Sequence, residues 1–150
     1  MPAKTPTNTR QIVLASRPQG WVTPDCFALR EAKLDPLRAG DVLVRAIYMS
    51  LDPYMRSRMD DTKSYAASFE LDRPLQARII GEVATSANAD FATGILVFGV
   101  LDWAEYTMVA NGAGLRPVAA GLAPLPYHLG ALGMPGMTAW IGLREIGRPK

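Results

Sequence analysis

A chain of 150 residues, 49% hydrophobic and 20% charged, is long enough for one domain with a real core and has the balance of an ordinary globular protein. Its net charge of +2 provides no concentrated basic face, which argues against nucleic acid as a partner, and no apolar run approaches the length of a membrane span. Cys26 and His128 are single residues of their types, which excludes a disulfide framework and a Cys/His zinc site, so no metal is expected.

Residues 1–9 are polar and lack the apolar core of a signal peptide; they read as a flexible leader, with the cytoplasm as the compartment. Residues 11–15 are a short strand candidate, broken by Pro18-Gln19-Gly20 and held open by Pro24-Asp25. Residues 27–32 read as an edge strand and 34–41 as a turn. Residues 42–49 are the strongest strand, β-branched and nearly continuous, and are expected to be buried on both faces apart from Arg45.

That strand delivers the stretch Ser50-Leu51-Asp52-Pro53-Tyr54-Met55-Arg56-Ser57-Arg58. Pro53 fixes its own φ and has no N–H to donate, so the strand must end there. Asp52 can bond backbone groups just ahead and open a tight turn. Tyr54, Arg56 and Arg58 alternate with Met55 and Ser57, which places a phenol and two guanidiniums on a fixed turn suited to a planar, partly anionic ligand. The alternative is a surface turn with a buried Tyr and two solvated Arg.

Residues 60–75 are irregular and read as a binding loop or lid, or else as a surface excursion. Residues 77–84 form a strand whose Gly81 marks a bulge or a close backbone approach. Residues 95–101 and 105–109 form the next pair of strands, joined through Asp102-Trp103-Ala104; a turn over 111–114 and a last short strand over 115–118 follow. Beyond Pro124 the pattern becomes helical, with a short piece over 126–132 and then a helix that Pro135 opens and Gly147 closes in a left-handed cap, ahead of Pro149. Met137, Trp140, Ile141 and Leu143 give that helix an apolar face. About seven short strands followed by helices, without βαβ alternation, predict a mostly β, partly open barrel with short C-terminal helices. Gly112-Ala113-Gly114 falls short of a dinucleotide fingerprint, because Pro117 stands where the third glycine belongs and a strand follows it.

Three stretches in order carry a family resemblance: Ser50-Leu51-Asp52-Pro53-Tyr54-Met55-Arg56, Trp103-Ala104-Glu105-Tyr106, and Gly130-Ala131-Leu132-Gly133-Met134-Pro135-Gly136-Met137-Thr138-Ala139-Trp140. Together they resemble the zinc-independent medium-chain dehydrogenase/reductases of the prostaglandin reductase, leukotriene B4 dehydrogenase and curcumin reductase branch, from about Gln11 to the end of the chain. The resemblance implies a GroES-like substrate-side domain over residues 10–130, a junction helix over 131–150, and a Rossmann domain holding NADPH that this chain lacks. It implies NADPH-dependent reduction of the C=C bond of α,β-unsaturated ketones or aldehydes, with a small-molecule enone as partner. Hydride would go to the β-carbon, and the charge developing on the carbonyl oxygen needs a positioned donor.

By the same resemblance, Tyr54 lines the cleft and donates to the carbonyl or to the cofactor's ribose. Asp52 fixes the turn, and Arg56 braces it or faces the cofactor. Met134 and Thr138 lie beside the nicotinamide, the first binding through its backbone and the second through its hydroxyl, while Trp140 packs the domain junction. The isolated chain is expected to be inactive, to bind NADPH weakly, and to form a homodimer or aggregate through the bare apolar face of Met134, Met137, Trp140 and Ile141. Two departures stand out. Ala77-Arg78 lies where relatives often carry small glycines and would narrow or charge the cleft mouth, and Gly94-Ile95 lies where a Gly-Asp turn is usual. A free-standing GroES-like binding or assembly module and a quinone reductase acting on another acceptor remain open readings.

Overall fold

The computed structural model describes residues 5–63, 66–119, 121 and 123–149. Among them, seven strands form two antiparallel sheets. β1 (Asn8–Leu14) and β2 (Phe27–Lys33) make the smaller. β3 (Val42–Met49), β4 (Gln76–Ser86), β5 (Leu96–Asp102), β6 (Tyr106–Val109) and β7 (Arg116–Pro117) make the larger, in the order β6-β3-β4-β5-β7. β6 and β7 do not pair with each other, so the sheet stays open. This is the expected mostly β, partly open arrangement with short C-terminal helices.

The core lies where the sheets meet: Leu14, Leu43, Leu75, Ile80, Val42 and Val97 have no exposed surface. Burying each such side chain stabilises the fold by roughly 1.5–3 kcal/mol. The Trp103-Ala104-Glu105-Tyr106 stretch stitches the sheets together. Ile12 N–H donates to Trp103 C=O (2.8 Å), Trp103 N–H to Leu75 C=O (2.7 Å) and Glu105 N–H to Arg10 C=O (3.0 Å). The Trp103 ring stacks on Phe27 with centroids 6.0 Å apart, and Arg10 pairs with Glu105. That pairing holds the Glu105 carboxyl below the usual carboxylate range.

Several expectations are corrected. Residues 95–101 and 105–109 form strands, but not a pair: β5 pairs with β4 and β6 with β3, on opposite sides of the sheet. The link through Trp103 runs across β1 instead of turning back on itself, because its backbone groups are taken by Ile12 and Leu75. β3 is buried only over Val42, Leu43 and Val44; Tyr48 and Met49 are 44% and 38% exposed. β6 pairs β3 only from Val42 to Arg45, which leaves the far end of β3 uncovered. β1 begins at Asn8, inside the expected leader, because Thr9 is buried and its Oγ1 accepts a hydrogen bond from Tyr106 N–H at 2.9 Å. The left-handed cap falls on Arg148 (φ 43°), not Gly147, because a wider π-type turn over Gly142–Gly147 carries the coil one residue further.

Residues 60–75 form no lid along their second half. Phe69 and Leu75 are buried, and Pro74 and Leu71 bridge to Val13 and Leu14 of β1. Ser64 and Tyr65 of this segment lie outside the described residues.

β5 ends on Asp102, where burial pushes the carboxyl above its ordinary range while a hydrogen bond with Gln76 works against that shift. A carboxyl raised in the folded state binds its proton more readily folded than unfolded. Its charged form therefore opposes folding at neutral pH, and the penalty fades as pH falls through the folded pKa. Asp102→Asn is expected to raise the thermal midpoint at pH 7, modestly because solvent screens this partly exposed group, and to raise it less as the pH falls into the acid range. Equal midpoints at pH 7 would contradict this.

Candidate functional site

β3 runs into the Ser50–Pro53 corner, and Pro53 opens a helix there instead of a β-turn. Met55 N–H donates to Asp52 C=O (3.0 Å) and Arg56 N–H to Pro53 C=O (3.1 Å), giving the five-residue α1 (Tyr54–Arg58). Helical spacing replaces the expected alternation. Met55 and Met59, four apart, enter the core, each 4% exposed, while Tyr54 is half-buried against the core.

The Asp52 carboxylate does not cap the backbone ahead of it. Its Oδ2 accepts from Ser50 Oγ (2.9 Å) and from Arg78 Nη1 (3.3 Å). The side chains of this ion pair are only 18% and 23% exposed. The Arg78 guanidinium also stands 5.7 Å from the Tyr54 ring centroid, within cation–π range. Arg78 reaches both residues because Ser50 N–H donates to its carbonyl at 2.9 Å, extending the β3–β4 ladder by one step.

The other two guanidiniums hold loops. Arg56 donates through Nε and Nη2 to Gly20 C=O (3.1 and 2.8 Å) and through Nη1 to Asp60 (2.7 Å). It braces the loop that carries Trp21, a side chain 92% exposed. Arg58 lies 4.1 Å over the Phe69 ring and donates to Ala67 C=O at 2.8 Å.

A groove of ≈ 590 Å³ runs between β4, β5 and β7 on one side and α2 (Met134–Ile141) on the other. Arg78, Arg116 and His128 line it together with Phe98, Val100 and Met134. α2 is seated by glycine: a Cβ at Gly136 would fall 1.7 Å from the Ala131 carbonyl oxygen, so only glycine permits this approach. Pro135 sits in the first turn, as expected. Thr138 Oγ1 donates to Met134 C=O at 2.8 Å, so these two candidates engage each other and the Thr138 oxygen keeps only acceptor capacity. No residue of α2 is buried; Met134, Met137 and Trp140 are 55%, 56% and 51% exposed.

Of the residues expected at the site, Asp52 and Tyr54 share one cluster, and Arg78 joins that cluster to the groove that Met134 lines. Thr138 sits on the same helix but does not line the groove, and Arg56 is committed to Gly20 and Asp60. Arg116 and His128 line the groove without any local pattern in the sequence that points to them, and Arg78 stands out there only as a departure from the family resemblance. Arg78 did carry a signal, a charge directly ahead of the apolar Ile79-Ile80 pair in a strand run; the lone His128 carried none.

The family described as the N-terminal domain of oxidoreductase matches residues 10–118. NADPH-dependent curcumin reductase of Escherichia coli is 38% identical over 141 residues, spanning 94% of this chain and 41% of that protein. The NADP(+)-dependent 2-alkenal reductase of Nicotiana tabacum is 33% identical over 147 residues, spanning 95% of this chain and 43% of that protein. Crystal structures of CurA from Vibrio vulnificus, one in complex with NADPH, match with a TM-score of 0.85 at 42% and 40% identity and cover 42% of that chain. The chain thus spans less than half the length of the relatives it matches.

Proposed function

The chain belongs to the family of oxidoreductase N-terminal domains, and from that premise we propose that it is the substrate-side part of an NADPH-dependent enzyme reducing the C=C bond of α,β-unsaturated ketones and aldehydes. The observation that carries the reading is the groove: apolar walls with polar groups among them, flanked by an α2 face that is exposed at Met134, Met137 and Trp140. Such a face supports a second domain completing the cleft. The names of the curcumin and alkenal reductases point to the same chemistry and the same cofactor.

The residues of α2 fit the nicotinamide end of that cofactor. Met134 and Met137 offer an apolar stacking surface, and the exposed Thr138 oxygen can accept from a carboxamide. NADPH, when bound, supplies the hydride that adds to the β-carbon. The residues of this chain bind and orient the other reactant. The Tyr54 phenol donates to the substrate carbonyl, whose oxygen gains charge as the double bond is reduced. Arg78 holds the Tyr54 ring from above, and Asp52 holds Arg78. Phe98 and Val100 keep water from the groove wall, and the proton that completes the reduction at the α-carbon comes from solvent. Arg56 keeps the Gly20 loop closed against α1 and takes no part in the chemistry. The same reading places the protein in the cytoplasm and makes the exposed α2 face a surface through which the isolated chain forms a homodimer.

Mixed with NADPH and a panel of enals and enones, the full-length gene product is expected to oxidise the cofactor as the enone absorbance disappears. Tyr54→Phe is expected to lower kcat/KM about a hundredfold, the loss typical of one oxyanion donor. Failure to oxidise NADPH with any acceptor overturns the reading, and activity confined to quinones assigns the quinone reductase reading in its place.

A further inference from the structure

We propose that the groove between β4, β5, β7 and α2 selects an enone that carries a carboxylate, gripped by Arg78 and Arg116 with His128 beside them. The inference rests on the reductase reading and names its substrate class.

The lining of this groove contains two guanidiniums and an imidazole and, among the described residues, no carboxylate. Arg78 is neutralised only in part: a single contact of 3.3 Å through Nη1 joins it to Asp52, and its Nε and Nη2 have no partner among the described residues. Arg116 is exposed on β7, opposite Phe98, and makes no ion pair among the described residues. The Nε2 of His128 is buried without a hydrogen-bond partner. Like charges gathered in one groove repel each other unless an anion joins them. A carboxylate suits this set because it accepts two parallel hydrogen bonds from one guanidinium fork, which a ketone oxygen cannot do.

The rest of the wall is apolar. Phe98, Val100, Leu132 and Met134 line it, so the ligand must present a flat hydrocarbon body next to its charge. A volume of ≈ 590 Å³ suits such a small molecule. A cofactor phosphate would satisfy the same cations and is the alternative source of negative charge.

The test compares 4-oxo-4-phenyl-2-butenoate with its methyl ester as substrates of the full-length enzyme. The enzyme is expected to prefer the acid. Arg78→Gln and Arg116→Gln should each lower the acid-to-ester ratio of kcat/KM about tenfold, the size of one lost charge-assisted contact. Arg116 is exposed, so its replacement does not threaten the fold. An unchanged ratio in both variants overturns the proposal, and so does an NADPH KM that rises equally with both substrates, which assigns the cations to the cofactor.

A second readout does not depend on turnover. His128 is the only histidine, so its ring resonances report on the groove without ambiguity. Titration with the acid is expected to move them, and titration with the ester, or with the acid in the Arg78→Gln/Arg116→Gln double variant, is not. If the enzyme reduces no enone but these resonances follow the acid, the anion site stands and the reductase reading falls. Resonances that ignore the acid overturn the anion site.

Discussion

Gly81→Val is expected to destabilise the domain by about 3 kcal/mol, at the upper end of what overpacking a core costs. Gly81 sits in the middle of β4, where the β3 ladder slips: Ala46 pairs with Gly81 and Tyr48 with Ile80, leaving Ile47 as the extra residue of a bulge. A Cβ at this position would lie 2.4 Å from Val44 Cγ1 and 2.6 Å from the Arg45 carbonyl oxygen. Neither neighbour can yield cheaply. Val44 is 1% exposed within the core, and the Arg45 carbonyl is part of the backbone of the central strand. The strands must move apart, which would disturb the Ser50–Arg78 step that sets the Asp52–Arg78 pair. Denaturant unfolding should give a lower midpoint with an unchanged slope. A variant within about 0.5 kcal/mol of the parent would show that the close approach is not rigid.

The second large effect falls on the site and spares the core. Gly136→Ala places a Cβ 1.7 Å from the Ala131 carbonyl oxygen and 2.4 Å from its carbon, so α2 must lift from the segment before it. α2 buries none of its residues, so the core should survive the shift. Met134 and Met137 would leave the groove wall. Displacing reacting groups by an ångström costs about a hundredfold in rate, which is the loss of kcat/KM expected of the full-length enzyme. Its thermal midpoint should stay close to that of the parent. Gly142→Ala is the control: it lies in the same helical run with nothing within 4 Å of the added Cβ, and it should leave rate and midpoint alike. Parental kcat/KM in Gly136→Ala would mean that the seat of α2 does not matter. Backbone resonances read the same event without turnover, moving over residues 125–141 in Gly136→Ala while those of β3 and β4 stay in place.

These two glycines differ in how far they could be read in advance. Gly81 interrupts a strand pattern, and a residue without a side chain inside a strand signals a close approach. Gly136 follows a proline that can only open a helix, and nothing local reveals that it must avoid a carbonyl five residues back. The Asp52–Pro53–Tyr54 corner was equally half legible. Pro53 ends the strand by its own chemistry, but whether the chain then turns or coils was settled by Met55 and Met59, which enter the core only at helical spacing.

What the sequence determined by itself was local: where the chain extends, where it breaks, which helix opens at Pro135, and, through three motifs in order, which family it belongs to. Proline, glycine and β-branched residues act through sterics within a few residues, so their effects can be read along the chain. The tertiary structure alone decided which strands pair, that Trp103 ties β1 to the large sheet, and that Arg78 stands between Asp52, Tyr54 and the groove. Those outcomes depend on strand register and on contacts between residues far apart in the chain. A single-residue slip along β4 would have turned Arg78 to the other face.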